Sequence, residues 1–260
     1  MSNPEVCVLK TAGINCDAEM AHAFEVAGAE SELVYVNQLQ SGERRLDQYS
    51  ILAIPGGFSY GDDIASGKVF ATEIMSYFSD QLQDFVDKGK PIIGICNGFQ
   101  VLVRAGLLSS RAFGEQKVTL SKNEVGRFEC RWIDLTIEPS ACRFINPEDF
   151  TEQPVPMQIA HGEGRLSGDD NDVRHLIDND QVVFRYTTFD LKEPNGYPDN
   201  PNGATYNIAG ICDPSGLILG MMPHPERSIA TFHPHRIRTE AARSAAHVIF
   251  NNIVGYAKEM

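Results

Sequence analysis

A cysteine between two glycines is the first feature of this sequence that could do chemistry. Residues 91–100 read PIIGICNGFQ, an apolar run followed by Cys96, with Gly94 two positions before it and Gly98 two positions after it. The order strand, Gly-x-Cys-x-Gly, helix is typical of a nucleophile elbow, a turn too tight for side chains at the flanking positions. Such a turn exposes the sulfur at a helix N-terminus, whose partial positive charge favours a thiolate. The pattern predicts Cys96 as a nucleophile, although a free cysteine is more commonly a small buried residue.

A thiolate nucleophile needs a group that protonates the leaving group, and His224 is the candidate. It follows an apolar strand in LILGMMPHPERS, with a proline on each side. Because alternate residues of an extended segment project to the same side, Glu226 can reach the imidazole, orient it and stabilise its charged form. The sequence therefore predicts Cys96, His224 and Glu226 as a catalytic triad. His22 and His247 fall in helical patterns and are predicted to be packing residues.

Backbone amides are the candidates for stabilising an acyl oxyanion. Asn97 is the first residue after the elbow, and Gly57 lies in the glycine-rich segment IPGGFSYGDD, which follows a predicted strand. We expect their N–H groups to be the two donors, because glycines let the backbone approach a ligand closely. A phosphate loop is the alternative, but five residues rather than four separate Gly61 from Gly67, and Val69 replaces the Ser or Thr of that motif.

A metal site is the rival interpretation of the histidine segment. HPE at 224–226 and HPH at 233–235, the latter containing His233 and His235, could supply four ligands to a divalent cation. That would make the protein a metallohydrolase. The sequence has no HExxH motif, and the prolines beside each histidine hinder a helical ligand pair. We predict no metal site.

Alternating strands and helices must position these groups. The first half predicts strands at 6–9, 32–36, 51–54 and 91–95 and helices at 18–28, 69–88 and 99–106. The second half predicts strands at 118–120, 128–137, 155–160, 181–186 and 217–222 and a helix at 240–260. Strand–helix alternation indicates an α/β fold, with an open, mostly parallel sheet, helices on both faces and a strand-rich second half. We expect one domain over 1–260, an acidic loop at 167–180 and a surface loop at 187–204.

Composition narrows the function classes. The chain has 260 residues and a formal net charge of −13, which disfavours nucleic acid and anionic membranes as partners. No signal peptide or membrane-length apolar run is evident, and six scattered cysteines without a CxxC predict free thiols in a cytoplasmic protein. Four of them are expected to be buried structural residues: Cys7, Cys130, Cys142 and Cys212. Cys16, in GINCD just before a helix, stays open.

Several blocks carry a family resemblance. GICNGFQ resembles the cysteine signature of class I, triad-type glutamine amidotransferases, and PHPE resembles their His–Glu element. Further blocks, in this order, resemble the glutaminase subunits of phosphoribosylformylglycinamidine synthases: IPGGFSYGD, GICNGFQVLVRAGLL, GRFECRW, IAHGEGR, NPNGATYNIAGI and GMMPHPER. Together the blocks span most of residues 5–228. The chain departs from the family pattern at Asp63, Ile64 and Ala65, where the family usually has Tyr, Leu and Arg.

The resemblance implies a flavodoxin-like fold and a complete reaction. Cys96 attacks the side-chain amide of L-glutamine, His224 protonates the departing ammonia, and water releases glutamate from a γ-glutamyl thioester. Ammonia passes to a separate synthetase subunit, where ATP activates formylglycinamide ribonucleotide, and a small third subunit is expected. ATP and Mg belong to that partner, and this chain needs no cofactor. Gln100 is expected to line the glutamine pocket, and His161 to bind or orient the substrate. The alternatives are a surface glutamine and a loop histidine without a role.

Two other functions stay open at this point. A stand-alone thiol hydrolase or peptidase on the same fold would turn over without a partner and without preference for glutamine. A non-catalytic scaffold subunit would not need the set Cys96, His224 and Glu226.

Overall fold

The computed structural model describes residues 3–109, 113–151, 153–229 and 236–260. Its strands are β1 (Glu5–Lys10), β2 (Glu30–Tyr35), β3 (Ile51–Ile54), β4 (Ile92–Ile95), β5 (Val118–Ser121), β6 (Glu129–Ile137), β7 (Val155–His161), β8 (Arg165–Gly168), β9 (Val182–Thr187), β10 (Ile208–Cys212) and β11 (Ile218–Met221). Its α-helices are α1 (Asp17–Val26), α2 (Val36–Gln40), α3 (Lys68–Asp87), α4 (Asn97–Arg104), α5 (Asp170–Asp178) and α6 (Arg236–Glu259).

Nine strands form one sheet in the order β2-β1-β3-β4-β11-β10-β9-β6-β7, and β5 pairs with β8 in a separate ribbon. The pairs from β2 to β11 are parallel. The pairs from β11 to β7 are antiparallel. Counting β11 as the fifth strand, the parallel part has the 2-1-3-4-5 order of flavodoxin-like folds. The predicted α/β class and the strand-rich second half are confirmed.

Helices cover both faces of the parallel part. The units β1–α1–β2 and β3–α3–β4 run in opposite directions across the sheet, so right-handed crossovers place α1 and α3 on opposite faces. The helix α6 packs beside α1, and α4 packs beside α3. Every residue of β3 and β4 is buried, which explains why ILAI and IIGI are continuous apolar runs rather than alternating ones.

The neighbouring strands β4 and β11 bring two distant parts of the sequence to one edge of the sheet. In their parallel register Ile95 lies opposite Met221, and the Cys96 N–H donates to the Met221 carbonyl at 2.8 Å. Cys96 directly follows β4, and His224 comes three residues after the end of β11. Both therefore leave the sheet at its carboxyl edge, where open α/β sheets bind ligands.

The predicted strands and helices are present, but the second half departs from the predictions in three respects. The acidic segment 167–180 contains α5, because Asp169 caps the helix by accepting the Asn171 N–H and the helix buries Val173 and Leu176. Strands β8 and β10 are absent from the predictions. The segment 187–204 is a loop but not wholly a surface one, since Asn202 is fully buried and donates to the carbonyl of Gly164.

One cysteine also departs from its expected burial. All six cysteines are free, but Cys130 is exposed because successive residues of a strand face opposite sides and the neighbouring Glu129 takes the buried side of β6. His233 and His235 lie outside the described residues. Within the described part of the chain, no helix combines the length and the apolar character needed to cross a bilayer.

Candidate active site

The turn after β4 is as cramped as the two glycines suggest. A Cβ added to Gly98 would lie 1.9 Å from the Ile54 carbonyl oxygen, and one on Gly94 would lie 2.7 Å from the Gly98 carbonyl oxygen. Cys96 has φ 52° and ψ −104°, a strained conformation for a residue with a side chain. The sulfur thus stands at the first turn of α4 and lines a cavity at the sheet edge.

His224 and Glu226 form a buried pair beside this turn. The imidazole Nδ1 lies 2.5 Å from a Glu226 carboxylate oxygen, and the His224 backbone N–H donates to the Gln158 carbonyl at 2.8 Å. Because a carboxylate only accepts, Nδ1 carries the proton and Nε2 is the second ring nitrogen facing the site. Burial opposes a charge on His224, but Glu226, Cys96 and Cys16 raise the pKa of His224 well above 6.5. The pair favours an imidazolium, which can protonate a leaving amine.

The backbone of Gly56, which follows β3, packs against both the nucleophile and the imidazole. A Cβ added to Gly56 would lie 2.9 Å from His224 Cε1, 3.3 Å from Cys16 Sγ and 3.5 Å from Cys96 Cβ. Only a residue without a side chain fits among these three groups. The structure therefore brings Cys96, His224 and Glu226 together, and their catalytic roles stay a prediction.

Gly57, a predicted oxyanion donor, lies in the loop after β3. It lines the same cavity as Cys96 and has φ +149°, and an added Cβ would lie 2.7 Å from the Gly13 carbonyl oxygen. The bridge between Ile14 and Gly57 is closed by the N–H groups of Phe58 and Asn15, so the N–H of Gly57 takes no part in it.

Asn97 is the first residue of α4, where helix N–H groups lack partners within the helix. Its side chain braces the loop after β3, because it accepts the Ser59 N–H at 3.1 Å and donates to Asp62 at 3.2 Å and to Gln100 at 2.9 Å. The roles of Asn97 and Gly57 as oxyanion donors stay a prediction.

A cavity of about 320 Å³ opens above the sulfur of Cys96. Its walls carry charges of both signs together with aromatic rings and small polar groups, from Phe58, Asp62, Ser66, Gln100, Lys122, Arg127, Phe128, His161 and Glu163. Burial raises the pKa of Asp62, and the neighbouring charge of Glu163 raises it further. Glu163 already pairs with the Arg104 guanidinium at 3.8 Å, so Asp62 is the carboxylate for which a bound cation would be most favourable.

Gln100 is a buried residue of α4 rather than a surface glutamine. Its side chain lines the cavity, accepts from Asn97 and donates to the Glu163 carbonyl at 2.5 Å. It thus ties the elbow helix to the segment that follows β7.

His161 ends β7 and lines the cavity, so it is a buried strand residue rather than a loop residue. The Asn123 amide nitrogen donates to the carbonyls of Arg127 and His161. The amide oxygen of Asn123 therefore faces the other way, where it accepts the Gly164 N–H at 3.1 Å and lies 3.0 Å from His161 Nδ1. Nδ1 is therefore the donor, and Nε2 keeps a lone pair. Burial and, second, the charge of His224 lower the pKa of His161 to about 3, so this imidazole stays neutral.

Cys16 is the residue beside the triad whose role the sequence leaves open. It is buried, and Arg227 Nη2 donates to its sulfur at 3.3 Å. The signal in the sequence is its position shortly after the first predicted strand. Because β1 pairs with β3 in parallel, the loop after β1 reaches the same sheet edge as the elbow.

Comparison with known proteins gives this arrangement a family. The sequence model of the CobB/CobQ-like glutamine amidotransferase domain matches residues 3–257. A protein of Methanococcus maripaludis, phosphoribosylformylglycinamidine synthase subunit PurQ, is 44% identical over 251 residues, which are 95% of this chain and 91% of that protein. The chain belongs to the glutamine amidotransferase family.

Other glutamine amidotransferases support the same placement. The subunit PurQ of Dehalococcoides mccartyi is 42% identical over the full length of both chains. A chain in the structure of PurLQS from Thermotoga maritima superposes with a TM-score of 0.74 at 32% identity, covering 98% of this chain and 99% of that chain. A glutamine amidotransferase of Thermotoga maritima, with a TM-score of 0.56 and 16% identity over the full length of both chains, shares the fold. The family resemblance read from the sequence is confirmed.

Proposed function

We propose that this chain is the glutaminase subunit of a phosphoribosylformylglycinamidine synthase, and that Cys96, His224 and Glu226 hydrolyse L-glutamine to glutamate and ammonia. One observation carries the assignment of residues. Cys96 stands on a strained elbow and, like the His224 imidazole, lies against Gly56: a Cβ added there would lie 3.5 Å from Cys96 Cβ and 2.9 Å from His224 Cε1, and His224 Nδ1 is held 2.5 Å from Glu226.

The geometry supports the following sequence of steps. The Cys96 thiolate attacks the γ-carbon of glutamine, and the N–H groups of Gly57 and Asn97 stabilise the oxyanion that forms. One such donor contributes about 10²–10³ in rate. The C–N bond then breaks, His224 gives its Nε2 proton to the leaving nitrogen, and ammonia departs from a γ-glutamyl thioester. His224 takes a proton from water, whose oxygen attacks the thioester, and the sulfur leaves with release of glutamate.

The charges of the cavity suit a free amino acid. L-Glutamine carries an ammonium and a carboxylate beyond its reacting amide, and the cavity offers acids and bases for the two. We assign the α-ammonium to Asp62, which accepts hydrogen bonds from the neutral side chains of Ser66 and Asn97, and the α-carboxylate to Lys122 and Arg127. The neutral His161 can accept a hydrogen bond from the substrate through Nε2.

The released ammonia passes to a separate ATP-dependent synthetase subunit, which works with a small third subunit. In support, the similar Thermotoga maritima chain comes from the structure of PurLQS. The net charge of −13 agrees with phosphorylated substrates, ATP and Mg being bound by the partner, so that this chain itself needs no cofactor. Six free cysteines agree with a cytoplasmic location.

A coupled assay tests the function. In the complex with the synthetase chain, Cys96→Ala should abolish amidine formation from glutamine and leave formation from ammonium intact. Cys130→Ala, at an exposed cysteine outside the cavity, is the matched control and should keep both activities. Loss of both activities in Cys96→Ala would contradict the assigned role. Full turnover of the isolated chain with no preference for glutamine would instead indicate a stand-alone thiol hydrolase.

A further inference from the structure

A second thiol lies against the triad. Cys16 precedes α1, is 2% exposed, and is fixed by its backbone N–H, which donates to the Gly56 carbonyl at 3.1 Å. Its Sγ, a ring nitrogen of His224 and a carboxylate oxygen of Glu226 all lie within 4.8 Å of one another. Hydrolysis by Cys96, His224 and Glu226 requires no such sulfur, so the position of Cys16 calls for a separate explanation.

Polar atoms without partners lie at the same place. Within the described part of the chain, His224 Nε2 and Glu226 Oε2 are buried and accept or donate no hydrogen bond. A Cβ added to Gly56 would lie 3.3 Å from Cys16 Sγ and 2.9 Å from His224 Cε1, the ring carbon next to Nε2, so the sulfur and the imidazole border the same small space. Buried polar atoms are almost always satisfied, so an exception marks a position where a ligand or reacting group binds.

We propose that Cys16 Sγ and His224 Nε2 bind a soft divalent cation of the Zn²⁺ class, and that this cation inhibits the glutaminase. Thiolate and imidazole are the donors that zinc prefers, whereas Mg²⁺ and Ca²⁺ prefer oxygen. Glu226 already accepts a hydrogen bond from His224 Nδ1. In metal sites a carboxylate commonly binds the non-coordinating ring nitrogen of a histidine ligand in the same way. This inference rests on the proposed function, because the cation occupies the nitrogen that protonates ammonia.

The surroundings of Cys16 indicate a reversible site rather than a permanent one. The positively charged Arg227 guanidinium donates to the Cys16 sulfur at 3.3 Å, and the sulfur lies 3.4 Å from Asn15 Oδ1. The same positive charge opposes a bound cation and weakens its affinity. A cation can arrive through the substrate cavity, which reaches Cys96 and Gly57.

Cobalt spectroscopy tests the site without relying on activity. We take the full chain with Cys130→Ser as the background, which removes the exposed thiol, and titrate Co²⁺ as the probe. A sulfur-to-cobalt charge-transfer band should appear, persist in Cys96→Ala, and disappear in the double variant Cys16→Ser, Cys96→Ala. Zn²⁺ and a chelator should abolish the band, and Mg²⁺ should not. Absence of the band in Cys96→Ala, or its persistence in the double variant, would overturn the proposal.

Inhibition supplies the second test. In the complex, Zn²⁺ should stop the glutamine-dependent reaction and spare the ammonia-dependent one, and a chelator should restore the rate. Relative to each variant's own uninhibited rate, Cys16→Ser and Cys16→Ala should need at least about tenfold more Zn²⁺ for half inhibition. Unchanged sensitivity in both variants would refute a role for Cys16. If no variant has glutaminase activity but the cobalt band behaves as stated, the proposed function fails and the metal site stands.

Discussion

Gly56→Ala is the substitution that most directly perturbs the geometry of the site. The added methyl would lie 2.9 Å from His224 Cε1, about 0.5 Å inside ordinary contact. Gly56 does not have the left-handed φ that disfavours alanine, so the backbone accepts the change and the clash falls on the imidazole. The imidazole cannot retreat freely, because the His224 backbone is bonded to Gln158 and Nδ1 to Glu226.

A displacement of the His224 imidazole by about 0.5 Å should slow the glutamine-dependent reaction. Since a misplacement of 1 Å costs about 10² in rate, we expect kcat for glutamine to fall by about 10–100-fold, or about 1.4–2.7 kcal/mol. The assay compares glutamine-dependent and ammonia-dependent amidine formation in the complex, and only the first should fall. Gly255→Ala is the matched control, since a Cβ there meets nothing within 4 Å. A Gly56→Ala rate within twofold of wild type would refute the placement of the imidazole against this loop.

Three further outcomes follow from the electrostatics of the site. Glu226→Gln removes the anion that raises the pKa of His224, so the alkaline limb of the pH profile of kcat/KM should move to lower pH; an unmoved limb would contradict the pairing. His161 has a pKa of about 3 when folded and about 6.5 when unfolded, so the unfolded chain binds the extra proton and stability falls as pH drops from 6.5 toward 3. His161→Gln should flatten that slope in urea unfolding, and a wild-type slope would count against it. Asp62→Asn should raise the KM for glutamine by about 10–100-fold with a smaller effect on kcat, and an unchanged KM would disprove its contact with the ammonium.

The elbow and its partners could be predicted because their signals are local. Gly94 and Gly98 indicate that there is no room for side chains on either side of Cys96. The spacing of His224 and Glu226 indicates that the two residues lie on the same side of one extended segment. Strand–helix alternation was enough for the fold class. The proximity of Cys96 to His224 could not be predicted from local signals, because it requires β11 to pair with β4. The family resemblance implies this pairing, whereas the hydrophobic periodicity does not show it.

Features that depend on strand order or on several loops could not be predicted. Cys16 reaches the triad only because β1 lies beside β3, and its own sequence context carries no sign of His224. The pocket acids Asp62 and Glu163 come from loops a hundred residues apart, and the Ser66 N–H donates to Glu163 across them at 3.2 Å. The helix α5 was missed because its acidic residues resemble a solvated loop, although Asp169 caps it.

The identity of the sulfur that carries the glutamyl group is the measurement that matters most. The chain in its complex is acid-quenched during turnover of glutamine, digested, and searched by mass spectrometry for a thioester-linked glutamyl group. The adduct should sit on the peptide that contains Cys96 and be absent from the peptide that contains Cys16. An adduct on Cys16, or steady glutamine turnover with no adduct on either cysteine, would contradict nucleophilic attack by Cys96.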